Sequence, residues 1–417
     1  MADIKDLETY FNEVYGPVAD WMTDFDHANP EYNENAHALW DEMRDKCPVA
    51  HTTRYGGTWL PVTHEYVSEI AYDTDRFTSR SVVVSRIKPS LAPDMPPAPI
   101  GTAPPISSDP PFHHDARRVM LPAFAPKKIA AWEADVRALC NELLDSVAGQ
   151  EVIDAAVDYA QHIPVNVIAR MLGFPLEDSD LFRKFVHDVL EGVDEPVHVR
   201  QPKFDRLFDY ISVQIEEHQA NPREDLTTFL LNATIYDQPL SMRHVAGSIV
   251  LLLLAGIDTT WSAIGSSIWH LATTPADRER LVREPDLMPT AIEEFLRAYA
   301  PVTMARLVKE DMDFHGCPMK AEDWVLLPFP AANRDPKEFA DADKVIIDRE
   351  ENRHSAFGLG IHRCMGSNLA RLELTIAVEE FLKRYPNFEL SDTAGVKWSN
   401  GQIRGPRKLP VRILPNK

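Results

Sequence analysis

The run from about Ser241 to Thr273 restricts the fold of this chain more than any other stretch. It keeps helical spacing throughout, and at 1.5 Å per residue such a helix spans on the order of 50 Å, enough to cross a whole domain. Its centre, Ile249-Val-Leu-Leu-Leu-Leu-Ala-Gly-Ile257, is apolar on every side yet too short to cross a bilayer, so it must run through a protein core. Asp258, Thr259 and Thr260 follow at once, polar residues in the middle of a buried helix. A carboxylate there is costly unless it is paired or used. Gly256 can admit a ligand close to the backbone, and the Thr259 hydroxyl can bond back to the Ala255 carbonyl, loosening the helical ladder.

A second stretch carries metal chemistry: His354-Ser-Ala-Phe357-Gly-Leu-Gly360-Ile-His362-Arg-Cys364-Met-Gly366. Phe357 can shield a sulfur from water, and Gly360 permits a tight turn with positive φ. Cys364 stands just before a helix-forming run, where free N–H groups and the helix dipole favour thiolate over thiol. Gly366 would let that helix approach a flat group closely. A lone cysteine is commonly a small buried hydrophobe, but the surrounding pattern is specific. Cys47, Cys140 and Cys317 form no C-x-x-C pair, which speaks against zinc. Gly358-Leu-Gly360 begins like a dinucleotide fingerprint, but Arg363 occupies the third glycine's place.

The pattern F-x-x-G-x-x-x-C-x-G resembles the haem-binding loop of the cytochrome P-450 family, in which the cysteine is the axial iron ligand. Ala255-Gly256-Ile-Asp258-Thr259-Thr260 is similar to that family's oxygen-activation motif. The resemblance covers nearly the whole chain and implies the mainly α P-450 fold with a small β portion, a single domain over residues 1–417. A smaller sheet-bearing part is expected near the N-terminus. Haem b (iron protoporphyrin IX) would lie between the 241–273 helix and the Cys364 loop, with Phe357, Gly358, Gly360 and Gly366 cradling it beside Ala255 and Gly256.

Further roles follow from the same resemblance. Asp258 and Thr259 would handle protons for O2 activation. His113 and Arg117, four apart in Asp109-Pro-Pro-Phe-His113-His-Asp-Ala-Arg117, would hold the haem propionates together with Arg306 and His354. His362 would border the haem edge. Glu294, Arg297 and Arg349 match a buried structural charge triad. Leu251, Leu254, Val302, Met304 and Ile403 are expected to line an apolar substrate pocket. Nine prolines between Pro89 and Pro111 exclude a regular helix there, and that segment is expected either to close over the pocket or to serve as a stiff connector.

Composition bounds the partners. Forty-three basic against 64 acidic residues give a net charge of −21, which argues against nucleic acid or an anionic membrane. Scattered cysteines suit a reducing cytosol, and the first thirty residues show no signal or membrane anchor. A cytoplasmic, soluble monomer is expected. The chain has no flavin, nucleotide or iron–sulfur pattern. NAD(P)H-derived electrons would therefore come through a 2Fe–2S or similar ferredoxin and its reductase, docked where Arg118, Arg353 and Arg363 offer positive charge. The expected activity is insertion of one oxygen atom into an apolar organic molecule. A peroxide-driven enzyme or isomerase of the same fold, or a non-catalytic haem-binding sensor, is the alternative.

Overall fold

The protein was analysed as a computed structural model, which describes residues 15–84, 103–191, 195–399 and 401–415. Its longer helices are α1 (Pro30–Lys46), α2 (His64–Tyr72), α3 (Phe112–Met120), α4 (Glu133–Ser146), α5 (His162–Leu172), α6 (Ser179–Leu190), α7 (Val197–Ala220), α8 (Met242–Thr273), α9 (Pro275–Arg283), α10 (Met288–Ala298) and α11 (Ser367–Arg384). Strands β1 (Val49–Thr52), β2 (Thr58–Pro61), β3 (Phe77–Thr78), β4 (Thr303–Val308) and β5 (Trp324–Pro328) form the main sheet.

The long apolar run is α8. Ser241 caps it, its hydroxyl accepting from the His244 N–H at 3.2 Å, which satisfies one orphan donor of the first turn. Among the described residues α8 alone is long and apolar enough to cross a membrane, yet 78% of its most apolar window is buried inside the protein. It packs on α5, α6, α7 and α11. Leu253, Ile257, Ile264 and Ile268 of α8 share one core with Val165 and Leu172 of α5 and Ile376 and Phe381 of α11. A helix with no polar face needs such neighbours all round.

The sheet takes its strands from both ends of the chain. Its order is β1-β2-β5-β4-β3, with β5 parallel to β2 and the other pairings antiparallel. Three of its strands lie near the N-terminus, as expected, but that expectation is incomplete: the interior strands β4 and β5, beside β2, come from residues 303–308 and 324–328. Both faces are covered, so β5 is a continuous apolar run. Trp324 and Leu326 point toward Trp40 and Met43 of α1, while Val325 and Leu327 point toward Val67 and Ile70 of α2.

Two smaller features bear on the site. Lys397–Trp398 pairs antiparallel with Pro406–Lys408, and the loop between brings Ile403 into a bridge with Val302. Of the proline-rich segment expected to cover the pocket, residues 85–102 lie outside the described residues.

Candidate active site

The Cys364 loop is shaped by its glycines and backbone. Gly360 has φ +66°, and a Cβ there would sit 2.5 Å from the Ala71 carbonyl oxygen at the end of α2. Only glycine fits that approach. The Cys364 N–H donates to the Phe357 carbonyl at 2.7 Å, closing the loop. Arg371 of α11 lies over the Phe357 ring at 4.4 Å and holds Glu293 through Nε at 2.6 Å.

Cys364 borders a cavity of about 210 Å³. Its exposed area opens into that cavity, and protein surrounds the remaining sides. Burial pushes its thiol up, and the Gly366 N–H together with Arg117, Arg371 and Arg363 only partly opposes this. Burial thus opposes the thiolate that the helix terminus is expected to favour, and the charge of a bound metal would favour it.

One edge of the cavity is cationic. Arg117, Arg306 and His362 line it. Arg117 Nη2 donates to the Arg363 carbonyl at 2.6 Å, tying α3 to the cysteine loop. Arg306 is buried and gives Nη1 to the Ala305 carbonyl at 2.8 Å; burial pushes its guanidinium down to about 10. His113 stands behind His362 with ring centres 4.4 Å apart, and both its nitrogens are buried without a partner. Burial, with Arg117, His114 and Arg306 added, pushes His113 down to about 4.

The opposite wall is α8. Leu251, Leu252, Ala255, Gly256, Thr259, Thr260 and Ala263 face the cavity. The Thr259 hydroxyl donates to the Ala255 carbonyl at 2.9 Å. Gly256 borders the cavity, but its missing Cβ mainly accommodates Ile168 of α5, whose Cδ1 would stand 2.9 Å away. Asp258 turns from the cavity and pairs with Arg407 at 2.6 Å. Burial raises its carboxyl to about 6 even against that arginine. Val302 and Met304 complete the apolar lining, joined by Ile168, Pro105 and Ile106.

Other expected residues lie elsewhere. Leu254 falls off the cavity-facing stripe and packs into the helical core, and Ile403 is buried behind Val302. His354 does not border the cavity; its Nε2 lies 3.1 Å from Glu293 Oε2. Burial pushes Glu293 up, but Arg371 and His354 outweigh it and hold the carboxyl down at about 2. Glu294, Arg297 and Arg349 meet in a buried cluster. Glu294 takes Arg297 Nε and Nη2 at 2.8 Å each and Arg349 Nε at 3.0 Å, while Arg297 also donates to the Asn333, Ala342 and Lys344 carbonyls. Glu373 of α11, buried and lining the cavity, and Arg407 were not singled out in the sequence, because neither stands in a local pattern that marks it.

The residues fit a haem. One sulfur can take the iron, apolar walls suit the macrocycle, and Arg117 and Arg306 at one edge, with the unpartnered nitrogens of His113 behind them, suit two carboxylates. Among the described residues no group of three or more His, Cys, Asp or Glu side chains could hold a metal by itself.

Comparison with known proteins agrees. Residues 84–402 match the family profile described as Cytochrome P450. The chain is 31% identical over 381 residues to mycinamicin IV hydroxylase/epoxidase of Micromonospora griseorubida, covering 89% of this chain and 94% of that protein. It is 32% identical over 320 residues to steroid C26-monooxygenase of Mycolicibacterium smegmatis, covering 75% and 79%. Among solved structures it resembles CYP109E1 from Bacillus megaterium in complex with testosterone, with TM-score 0.84 and 32% identity over 93% of this chain and 100% of that one. It also resembles myxobacterial CYP267B1 in complex with myristic acid, with TM-score 0.84 and 30% identity over 93% and 99%. The chain belongs to the cytochrome P450 family and is a haem monooxygenase.

Proposed function

We propose that this protein inserts one atom of O2 into a small, largely apolar organic molecule held against α8, with electrons from a ferredoxin and its reductase. The observation that carries this reading is that Cys364 and the Ala255–Thr259 segment border the same cavity, one edge of which is lined by the guanidinium groups of Arg117 and Arg306. Haem bound through Cys364 supplies the activation of O2. Two electrons and two protons reduce the second oxygen atom to water.

The chain's own residues do the rest. Leu251, Leu252, Ile168, Val302 and Met304 desolvate and orient the substrate, and their apolar character selects for molecules with a large apolar surface. Testosterone and myristic acid, bound by the two similar structures, are both dominated by apolar surface. Arg117, Arg306 and His362 hold the propionates, with His113 donating from behind. His354 acts through Glu293 and Arg371, which brace the Phe357 loop. The Thr259 hydroxyl, already turned back on Ala255, holds a proton donor at the helix opening, and Asp258 carries protons inward. Arg118, Arg353 and Arg363 are exposed near the Cys364 loop and offer an acidic ferredoxin a docking face despite the acidic total. The protein acts in the cytoplasm as a monomer formed by one domain.

The test is a reconstitution of purified protein with a ferredoxin, its reductase and NAD(P)H. Candidate ligands that displace water from the ferric iron should raise cofactor consumption and yield oxygenated product. Cys364→Ser should abolish the thiolate-type carbon monoxide difference band. Product formed with peroxide alone, and none with the electron chain, overturns the ferredoxin-dependent reading.

A further inference from the structure

Outside the cavity wall, two guanidinium groups and a neutral imidazole come together with no carboxylate bound to them among the described residues. α1 presents Asn33, His37 and Arg44 on one face, because positions four and seven residues further along return to the same side of a helix. Arg404 reaches this face at one end, its Nε donating to the Asn33 carbonyl at 3.3 Å. At the other end Arg44 Nη2 donates to the Ala331 carbonyl at 2.6 Å, in the turn that leads to Arg334. His37 lies between them.

Most donors in this cluster are idle among the described residues. Among the described residues the Arg404 side chain makes only that hydrogen bond and stacks over Trp398 at 4.4 Å, so neither terminal nitrogen has a hydrogen-bond partner there. Arg334 gives Nη2 to the Asp343 carbonyl at 3.0 Å and makes no further side-chain hydrogen bond among the described residues. His37 makes a ring contact with Trp40 and no side-chain hydrogen bond among the described residues. Nearby carboxylates are engaged elsewhere: Asp41 pairs with Arg44, and Asp335 accepts from the His64 N–H at 2.8 Å. All three side chains are half-buried. Burial, then the charges of Arg334, Arg404 and Arg44, push His37 down to about 2, so the imidazole is neutral beside guanidinium groups that repel one another. Gathered like charges of this kind are stabilised when an anion joins them.

We propose that the cluster of His37, Arg334 and Arg404 is a binding site for a small tetrahedral oxyanion, a phosphate group free or carried on a small molecule. Two guanidinium groups present planar donor pairs that match oxygen pairs on such an anion, and the imidazole adds a third donor. The net charge of −21 repels anions at long range, so affinity rests on these local donors. The Arg404 N–H donates to the Pro301 carbonyl at 2.7 Å, and Pro301 lines the cavity. A bound anion therefore ties α1 and the 331–334 turn to the segment that walls the substrate pocket. The site stands independently of the proposed reaction.

The experiment is calorimetric titration of the holoprotein with inorganic phosphate, and in a second arm glycerol phosphate, at fixed ionic strength with chloride as the balancing anion. Saturable binding is expected, weakened at least about tenfold in both Arg404→Gln and Arg334→Gln. Lys127→Gln, which removes an exposed charge elsewhere, should leave it unchanged. Preference for glycerol phosphate assigns the site to an esterified group, and preference for phosphate to the free ion. A response that rises with concentration without saturating overturns the proposal. So does saturable binding that survives unchanged in Arg334→Gln. Should Arg404→Gln fail to fold, His37→Ala with Arg334→Gln decides the same question.

Discussion

Arg407, on the returning strand of the C-terminal hairpin, places Nη2 2.6 Å from Oδ1 of Asp258 in the middle of α8. The same guanidinium gives Nε to Glu191 at 2.6 Å and Nη1 to Ser262 at 3.0 Å, and it lies 4.4 Å over the Trp261 ring. A fully buried carboxylate is thereby tolerated in an apolar helix. Asp258 forms the inner end of a charged chain whose outer end, Glu191, is partly exposed.

That pairing sets a pH dependence. Burial raises the Asp258 carboxyl to about 6, and Arg407 is the chief group pulling it down. In Arg407→Gln the carboxyl rises further, so less of it is ionised at neutral pH. The acidic limb of product formation should move up by about one pH unit. Asp258→Asn should remove that limb. An unmoved limb in Arg407→Gln, with haem content normal, refutes the coupling.

Gly360 makes a steric prediction. Its φ is +66°, and an added Cβ meets the Ala71 carbonyl oxygen at 2.5 Å, a backbone atom that cannot swing aside. Gly360→Ala should cost about 1–3 kcal/mol, with reduced haem retention because the cysteine loop must shift. Denaturant melts and haem-to-protein ratios read both effects; wild-type values for the two would show that the loop yields more easily than its geometry implies.

Local geometry made some of this legible in the sequence. The Thr259 bond to Ala255 and the Glu294–Arg297 pair rest on four- and three-residue spacings, which a helix converts directly into contact. The cysteine helix was readable because its start and stop lie in one stretch. Elements set by distant pairing were not. Arg407 meets Asp258, and Ile168 fills the hollow at Gly256, only through tertiary packing. The lining of α8 was half readable. In a helix apolar on all sides composition cannot say which stripe faces the cavity, and Leu254 lies one step off the stripe that carries Leu251 and Ala255. His354 was read from its place in the loop, but the decisive partner, Glu293, sits beside the Glu294 that the charge-triad pattern selected.

The buried cluster around Arg297 should be intolerant of change. Arg297 and Glu294 are both fully buried; two of the arginine's hydrogen bonds go to Glu294, and three more hold α10 to the 333–344 segment that precedes the cysteine loop. Arg297→Lys keeps the charge but loses the planar fork. Glu294→Gln leaves Arg297 and Arg349 uncompensated and should cost about 3–5 kcal/mol. Stability curves in urea measure this, and a loss under about 1 kcal/mol for Glu294→Gln would assign the cluster no more weight than a surface pair.

Glu373 predicts how stability itself depends on pH. It is 1% exposed, its Oε2 has no hydrogen-bond partner, and burial pushes its carboxyl up to about 8. The folded state thus holds a proton that the unfolded chain releases near its ordinary range around 4. Between those values the unfolded state binds fewer protons than the native state, so stability falls as pH rises, by up to about 1.4 kcal/mol per unit. Below that window the contribution is fully present, and above about 8 it is lost. Glu373→Gln keeps the shape and cannot ionise, so its stability should decline less steeply than wild type from mildly acidic to mildly alkaline pH. Parallel curves for the two proteins would mean that Glu373 is ionised in the native state and finds a partner there.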